Sequence, residues 1–398
     1  MARFLMIPHA PQGLLAHLTA CSAVAGALRD RGHEPVFAYG GSRPELLERA
    51  GFDWHPVVEA RGAMHWEWFE SPDHLERMVS SQVDLVERLN PAALLTSAGF
   101  GRITAELTGV PDLALMHSVA GSRHGRQALR AWMFRDAARH PTRLIGHLAA
   151  RRRRPGVADV REALGEVLRR HRLEPLRHGA LVGRAELVAC ATAPFLDPAR
   201  GLPAHWHYVG PLDYGICGSG PAQRLGGGET SRVYVSQGSS GSPALLRRAV
   251  EELSGQGWHV VVSTGGLCDP DELNDLGPAV TAASILDTRA ELEAADVAVI
   301  AGGNMTAMQA LLAGTPTVVV PHTRQQSAGA LRAERLGTGL GLWPRVGRGA
   351  IARATRRLLR DRRYTDRAGG LAAQLKTEWN GNARAAALAE ALIERTRG

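Results

Sequence analysis

Residues 296–326, DVAVIAGGNMTAMQALLAGTPTVVVPHTRQQ, hold the densest set of groups suited to binding an anion. Val297 to Ile300 is an apolar run short enough for a buried parallel strand. Gly302 and Gly303 permit a sharp turn, with a left-handed φ expected at Gly303. Thr306 is then expected to open a helix over Ala307 to Ala313, which stops at Gly314 ahead of Pro316. A helix N-terminus carries unpaired N–H groups and partial positive charge, so a phosphate or diphosphate is its natural guest. A second strand, Thr317 to Val320, delivers His322, Arg324, Gln325 and Gln326 to the same sheet edge. The spacing Thr306-x-x-Gln309 also reads as a capping box, a role that can coexist with ligand contact. A second glycine-serine loop, Ser236 to Gly241, follows one apolar run and precedes the helix Pro243 to Leu253; alone it is a turn.

The elements that must position these groups alternate. Strands are expected at Phe4–Ile7, Pro35–Ala38, Ala92–Thr96, Leu113–Met116, Leu187–Ala191 and Arg232–Val235. Helices are expected at Leu18–Arg31, Pro44–Ala50, Pro72–Leu89 and Gly101–Thr108. Such alternation implies doubly wound parallel sheets, and a chain of 398 residues suggests two domains. The glycine-rich, polar stretch 214–231 reads as a linker between domains 1–213 and 232–375, with 376–398 as a terminal helix packing back on the first.

Composition excludes several classes. The net charge of +8 comes almost wholly from arginine, Lys376 being the single lysine, which looks like the codon bias of a high-GC genome. Arginines crowd residues 123–177, including Arg151 to Arg154, yet few aromatics interleave with them, so a solvated face is favoured and nucleic acid is not a partner. An anionic acceptor or membrane surface is the minority reading, and a homodimer is left open. Cys21, Cys190, Cys217 and Cys268 form no CxxC pair, which fits a reducing cytoplasm and no metal site. No signal peptide, 18-residue apolar run or GK[ST] motif is read. Asp269-Pro270-Asp271 imitates a metal-binding DxD, but before the helix Glu272–Leu276 turn chemistry is the expectation.

The 296–326 segment resembles the donor signature of GT-B glycosyltransferases, especially natural-product enzymes of actinobacteria related to UDP-glycosyltransferases, and in Arg324-Gln325-Gln326 it is similar to MurG. In that family the segment runs His-x-Gly, Ser or Thr, Glu, and closes on Asp-Gln; here Ala301, Gly303, Thr306, Gln309, Gln325 and Gln326 occupy those places. The resemblance implies two Rossmann-like domains facing a cleft. It implies transfer of a sugar, in many relatives a deoxysugar, from a dTDP- or UDP-linked donor as co-substrate to a small-molecule acceptor, with inversion and no metal or other cofactor. Donor contacts are then expected from Ser236, Gly238, Ser239, Ser240, Ser284, Ile285, Ala301, Gly302, Gly303, Asn304, Met305, Thr306, Gln309, Gln325 and Gln326. The family's Gly-His falls on Ala16-His17, making His17 the candidate base with His9 as fallback; a neutral imidazole accepts a proton near neutral pH. The aspartate that orients this base in many relatives is replaced by Ser97 or Thr96. Acceptor contacts are expected from His9, Trp66, Trp68, His117, Trp132 and Phe134. A hexosamine 2-epimerase, a MurG-like transferase to a lipid-linked acceptor and an inactive sugar-nucleotide-binding accessory protein are the alternatives.

Overall fold

The computed structural model describes residues 1–9, 15–58, 71–97, 101–119, 157–175, 181–199, 201–214, 230–239, 241–343 and 346–397. These form two compact units, one from the described residues among 1–130, 154–216 and 379–398, the other from those among 217–378. The expected linker falls mostly on 215–229, outside the described residues.

The first unit contains β1 (Arg3–Ile7), α1 (Leu15–Asp30), β2 (Glu34–Tyr39), α2 (Glu45–Arg49), β3 (Asp53–Pro56), α3 (Pro72–Leu89), β4 (Ala93–Ser97), α4 (Gly101–Thr108), β5 (Asp112–Met116), α5 (Val157–Arg170), β6 (Leu187–Cys190) and β7 (Trp206–Tyr208). All seven strands pair in parallel in the order β3-β2-β1-β4-β5-β6-β7. Phe4 to Ile7 are at most 1% exposed because helices cover both faces of the sheet, and each such side chain contributes roughly 1.5–3 kcal/mol. α3 opens on Ser71, whose side chain accepts from His74 N, with Pro72 at the first helical position, and closes on left-handed Asn90. β3 has no apolar run and ends in proline, and its pairing with β2 gives it strand form.

The second unit contains β8 (Arg232–Ser236), α6 (Pro243–Ser254), β9 (His259–Ser263), α7 (Asp271–Asn274), β10 (Val280–Ala283), α8 (Thr288–Ala294), β11 (Val297–Ile300), α9 (Asn304–Ala313), β12 (Thr317–Val319), α10 (Arg324–Leu336), β13 (Gly339–Gly341), α11 (Ala350–Arg360) and α12 (Arg362–Glu378). Its six strands are parallel in the order β10-β9-β8-β11-β12-β13. Val233, Val235, Val260, Val262, Val297 and Val299 pack with α6 and α11 on one face; Tyr234, Ala298 and Ile300 pack on the other. The stretch around Lys376 belongs to α12, where Ala368, Leu371, Ala372 and Leu375 are buried.

The last helix, α13 (Gly381–Arg397), belongs to the first unit. Its Ala385, Ala386 and Ala389 are fully buried, and these small side chains let α13 lie close to α1, itself buried at every residue from His17 to Ala25. A reciprocal pair ties the chain down: Asn382 Oδ1 accepts from Asp213 N at 2.9 Å, and Asn382 Nδ2 donates to Asp213 O at 2.7 Å.

Candidate active site

Strand order reverses between β1 and β4 in the first sheet and between β8 and β11 in the second. Loops diverge at such a switch point, leaving a crevice at the carboxyl ends of the strands. The expected donor residues cluster at the second of these. Ala301 N donates to Ser236 O at 3.3 Å, which sets the turn after β11 beside the loop after β8. Gly302 has φ +89, and a methyl group there would lie 2.5 Å from Val319 Cγ1 and 2.7 Å from Gln326 O. Gly303, at φ −55, is the N-cap of α9 and leaves open space where a Cβ would stand. The left-handed position is therefore Gly302 and not Gly303. The helix opens at Asn304 and not at Thr306, because the backbone is helical directly after the glycine pair. Thr306 thus stands in the first turn and the N-cap position falls on Gly303, which makes no side-chain cap bond, so the Thr306–Gln309 capping box is corrected.

The loop after β8 is held from within. Ser236 Oγ accepts from Gly238 N at 3.1 Å, and Gly241 N donates to Gly238 O at 3.3 Å. Buried Tyr234 hydrogen-bonds through its hydroxyl to Thr288, Ser236 and Ser263, while burial raises its pKa. From the next strand, Gly265 (φ +62) approaches the loop so closely that a methyl group would lie 3.0 Å from Gly238 C. Gly265 N donates to Ser284 O at 2.8 Å, which brings the exposed Ser284 and half-buried Ile285 to the same edge. Ser239 is half-buried, and Ser240 lies outside the described residues.

The missing capping box appears one helix later. Thr323 Oγ1 accepts from Gln326 N at 3.3 Å, and Gln326 Oε1 accepts from His322 N at 3.0 Å and Thr323 N at 3.2 Å. Gln326 is thus a helix cap at 5% exposure, and Gln309 is 2% exposed. The side chain of Gln325 lies outside the described set. α10 also brings two residues that sequence reasoning missed. A methyl group on Gly329 would lie 2.4 Å from Gly302 O, so glycine is needed for this close approach. One turn on, buried Arg332 donates from Nη1 to Asn304 Oδ1 at 2.9 Å. Gln237, also missed, is 2% exposed, and neither atom of its side-chain amide has a hydrogen-bond partner among the described residues.

At the first switch point, His9 follows β1, His17 sits in the first turn of α1, and His117 follows β5. The rings of His17 and His117 are 5.0 Å apart between centroids and tilted by 42°. Ser97, at the end of β4, accepts on Oγ from His9 N at 3.0 Å and hydrogen-bonds the Cys21 thiol, whose pKa burial raises. Thr96 points to the other face: a methyl group on Gly101 of α4 would lie 2.3 Å from its Cγ2. Trp66, Trp68, Trp132 and Phe134 lie outside the described residues. Asp269 Oδ1 accepts from Asp271 N at 3.1 Å, and Pro270 holds the N-cap of α7. Among the described buried carboxylates, Asp112 opens β5 and pairs with Arg102, and Glu291, on α8, pairs with Arg232 at the start of β8.

No protein-family model matches the chain. It is 26% identical over 343 residues to a PGL/p-HBAD biosynthesis rhamnosyltransferase of Mycobacterium bovis, covering 82% of this chain and 74% of that protein. Among solved structures, the glycotransferase of kitacinnamycin superposes with a TM-score of 0.73 at 21% identity, covering 98% of this chain and 99% of the other. The glycosyltransferase SsfS6 of Streptomyces sp. SF2575, complexed with thymidine diphosphate, superposes at 0.65 with 20% identity over 99% of this chain and all of the other. The fold is GT-B.

Proposed function

We propose that this GT-B glycosyltransferase moves a sugar, a deoxysugar being the favoured kind, from a nucleoside diphosphate to a small-molecule acceptor, with inversion and without a metal. One observation carries the reading: two glycine-turned loops, Ser236–Gly238 and Ala301–Gly303, meet at the β8/β11 switch point ahead of the N-terminus of the ten-residue helix α9. Such an edge suits the two phosphates of a leaving nucleotide, whose developing charge the first-turn N–H groups stabilise. The rhamnosyltransferase relative supports a deoxysugar, and the thymidine diphosphate of the SsfS6 complex supports a dTDP-linked donor, with UDP as the alternative.

In this reading the donor belongs to residues 232–375 and the acceptor to residues 1–213. His17 takes the proton from the acceptor hydroxyl as its oxygen attacks the anomeric carbon, and the diphosphate leaves from the opposite face. A single displacement of this kind inverts the centre. The acceptor is of natural-product type, and the reaction belongs to the cytoplasm. Epimerase chemistry, which usually needs carboxylates in the cleft, is disfavoured because, among the described residues, the buried carboxylates Asp112 and Glu291 are engaged by Arg102 and Arg232.

Thermal unfolding with UDP, dTDP and GDP tests the donor half. A ligand that binds only the folded chain stabilises it by about 2.7 kcal/mol at a hundred times its Kd, and dTDP is expected to give the largest shift. Incubation with dTDP-sugars and polyketide or phenolic acceptors should then yield a glycoside of inverted configuration. Absence of any nucleotide shift overturns the reading. Binding without transfer or donor hydrolysis points instead to an accessory protein, a reading consistent with Ala301 in place of the family's histidine.

A further inference from the structure

We infer that Gln237 reads a sugar ring of the donor, its side-chain amide taking two neighbouring hydroxyls. This rests on the reading of the β8/β11 edge as the donor site. Gln237 directly follows Ser236, the last residue of β8, which lies level with Ile300 of β11, and Ala301 N carries the ladder one step further by donating to Ser236 O. Gln237 therefore leaves the strand at the switch point itself. Val233 and Val235 pack into the apolar core on one face of the sheet, and by alternation Gln237 falls next in that series. An apolar side chain would suit the position. The chain instead places an amide there, 2% exposed, and neither its Nε2 nor its Oε1 has a hydrogen-bond partner among the described residues. A methyl group on Gly241 would lie 2.4 Å from Gln237 Cβ, so glycine there lets the backbone close against the root of this side chain. On its other side the next residue, Gly238 (φ +65), meets nothing within 4 Å where a Cβ would stand, so open space borders the same stretch of backbone.

The two unpaired atoms define the ligand. Nε2 only donates and Oε1 only accepts, so the matching group must accept and donate at neighbouring points. Phosphate oxygens only accept, and they would leave Oε1 unpaired. Two adjacent hydroxyls of a sugar ring answer both atoms, one accepting while the other donates. An unbranched side chain reaches such a pair by a change of rotamer towards the space beside Gly238. Until then the unpaired amide costs the free chain stability, a local violation of the packing pattern of the kind found at functional sites. Adjacent hydroxyls occur on the transferred sugar and on the ribose of UDP, whereas the deoxyribose of dTDP has no such pair.

Gln237→Met keeps the length of the side chain and removes both hydrogen-bonding atoms. Thermal midpoints of the whole chain without ligand, beside calorimetric titration of dTDP, UDP, dTDP-rhamnose and UDP-glucose, test the inference. The midpoint of the variant should equal or exceed that of the wild type, since the amide it loses had no partner in the fold. Kd for dTDP should be unchanged, while Kd for dTDP-rhamnose should rise by about ten-fold, the loss of two neutral hydrogen bonds. That result assigns the transferred sugar. A rise for UDP that dTDP does not share supports the inference equally and assigns the ribose. A lower midpoint, or a variant that does not fold, overturns it, because the amide is then bonded within the fold. Unchanged Kd for every ligand, or a rise for dTDP as large as for dTDP-rhamnose, overturns it too and leaves the donor reading intact. A wild-type chain that binds none of the four overturns both.

Discussion

Gly302 and Gly303 adjoin in sequence but face different physics. Gly302→Ala puts a methyl group at φ +89 within 2.7 Å of Gln326 O, so it should destabilise the second unit by about 2 kcal/mol or more, seen as a lower urea midpoint. Gly303→Ala meets nothing within 4 Å at an ordinary φ, so the midpoint should hold while nucleotide affinity falls, because the methyl group stands over the helix start. Equal effects of the two substitutions on stability would contradict the geometry. Among the histidines, His17→Ala should lower turnover by about two to four orders of magnitude with donor affinity nearly intact, as measured by steady-state kinetics beside titration. Full transfer by that variant would move the base to His9 or to the acceptor itself. Ser97 already has its hydroxyl engaged by His9 N and the Cys21 thiol, so an acidic orienter for His17 is not simply restored at that position.

At the scale of an element, α10 shows how one side chain can carry two readings. Gln326 closes a capping box with Thr323 and also stands where the resemblance expects a donor contact. Substituting both ways separates them. Gln326→Ala removes the acceptor for His322 N and Thr323 N and should cost about 1 kcal/mol of stability. Gln326→Glu keeps the box, since glutamate serves as well at that position, so its thermal midpoint should match the wild type. Should the amide also read the sugar, Gln326→Glu will raise KM for the intact donor more than Kd for the free nucleotide. A glutamate variant indistinguishable in both leaves Gln326 as a cap alone.

The chain as a whole is closed by its last helix. Glu390 accepts from Arg31 Nη2 at 2.6 Å and contacts His33 Nε2 at 2.8 Å, joining α13 to the end of α1 and the start of β2. The hydrogen bond from Arg31, followed by that from His33, holds the Glu390 carboxyl at about 2, below its ordinary 4.5. A depressed carboxylate pKa contributes stability that is complete above about pH 4.5 and is lost as the pH falls through about 2. Glu390→Gln should therefore lower the urea midpoint at pH 7, and its difference from the wild type should shrink as the pH drops below about 4.5. A constant difference down to pH 3 would show that the ion pair is not the cause. Ending the chain after Glu378 should be far more damaging, because it uncovers α1 and leaves Asp213 without Asn382; loss of cooperative unfolding of the first unit, followed by circular dichroism, is the expected result.

The alternation of short apolar runs with capped helices was legible in the sequence because strands covered on both faces must be apolar throughout, and because glycine, proline and serine mark helix ends chemically. The turn at Gly302–Gly303 and the gathering of Ser236 and Ala301 could be read for the same reason: they follow directly from strands. What contiguous residues could not reveal was which glycine turns left-handed and which helix receives the cap. Both depend on backbone approaching from elsewhere: Gln326 O against Gly302, and Thr323 rather than Thr306 at a helix entrance. Arg332, Gly329 and Gln237 look in sequence like an amphipathic helix and a turn. Their meaning arises only when parallel pairing sets β8 beside β11 and α10 lies close enough for Arg332 to reach Asn304, since burial and hydrogen-bond partners belong to the packed chain and not to its local pattern.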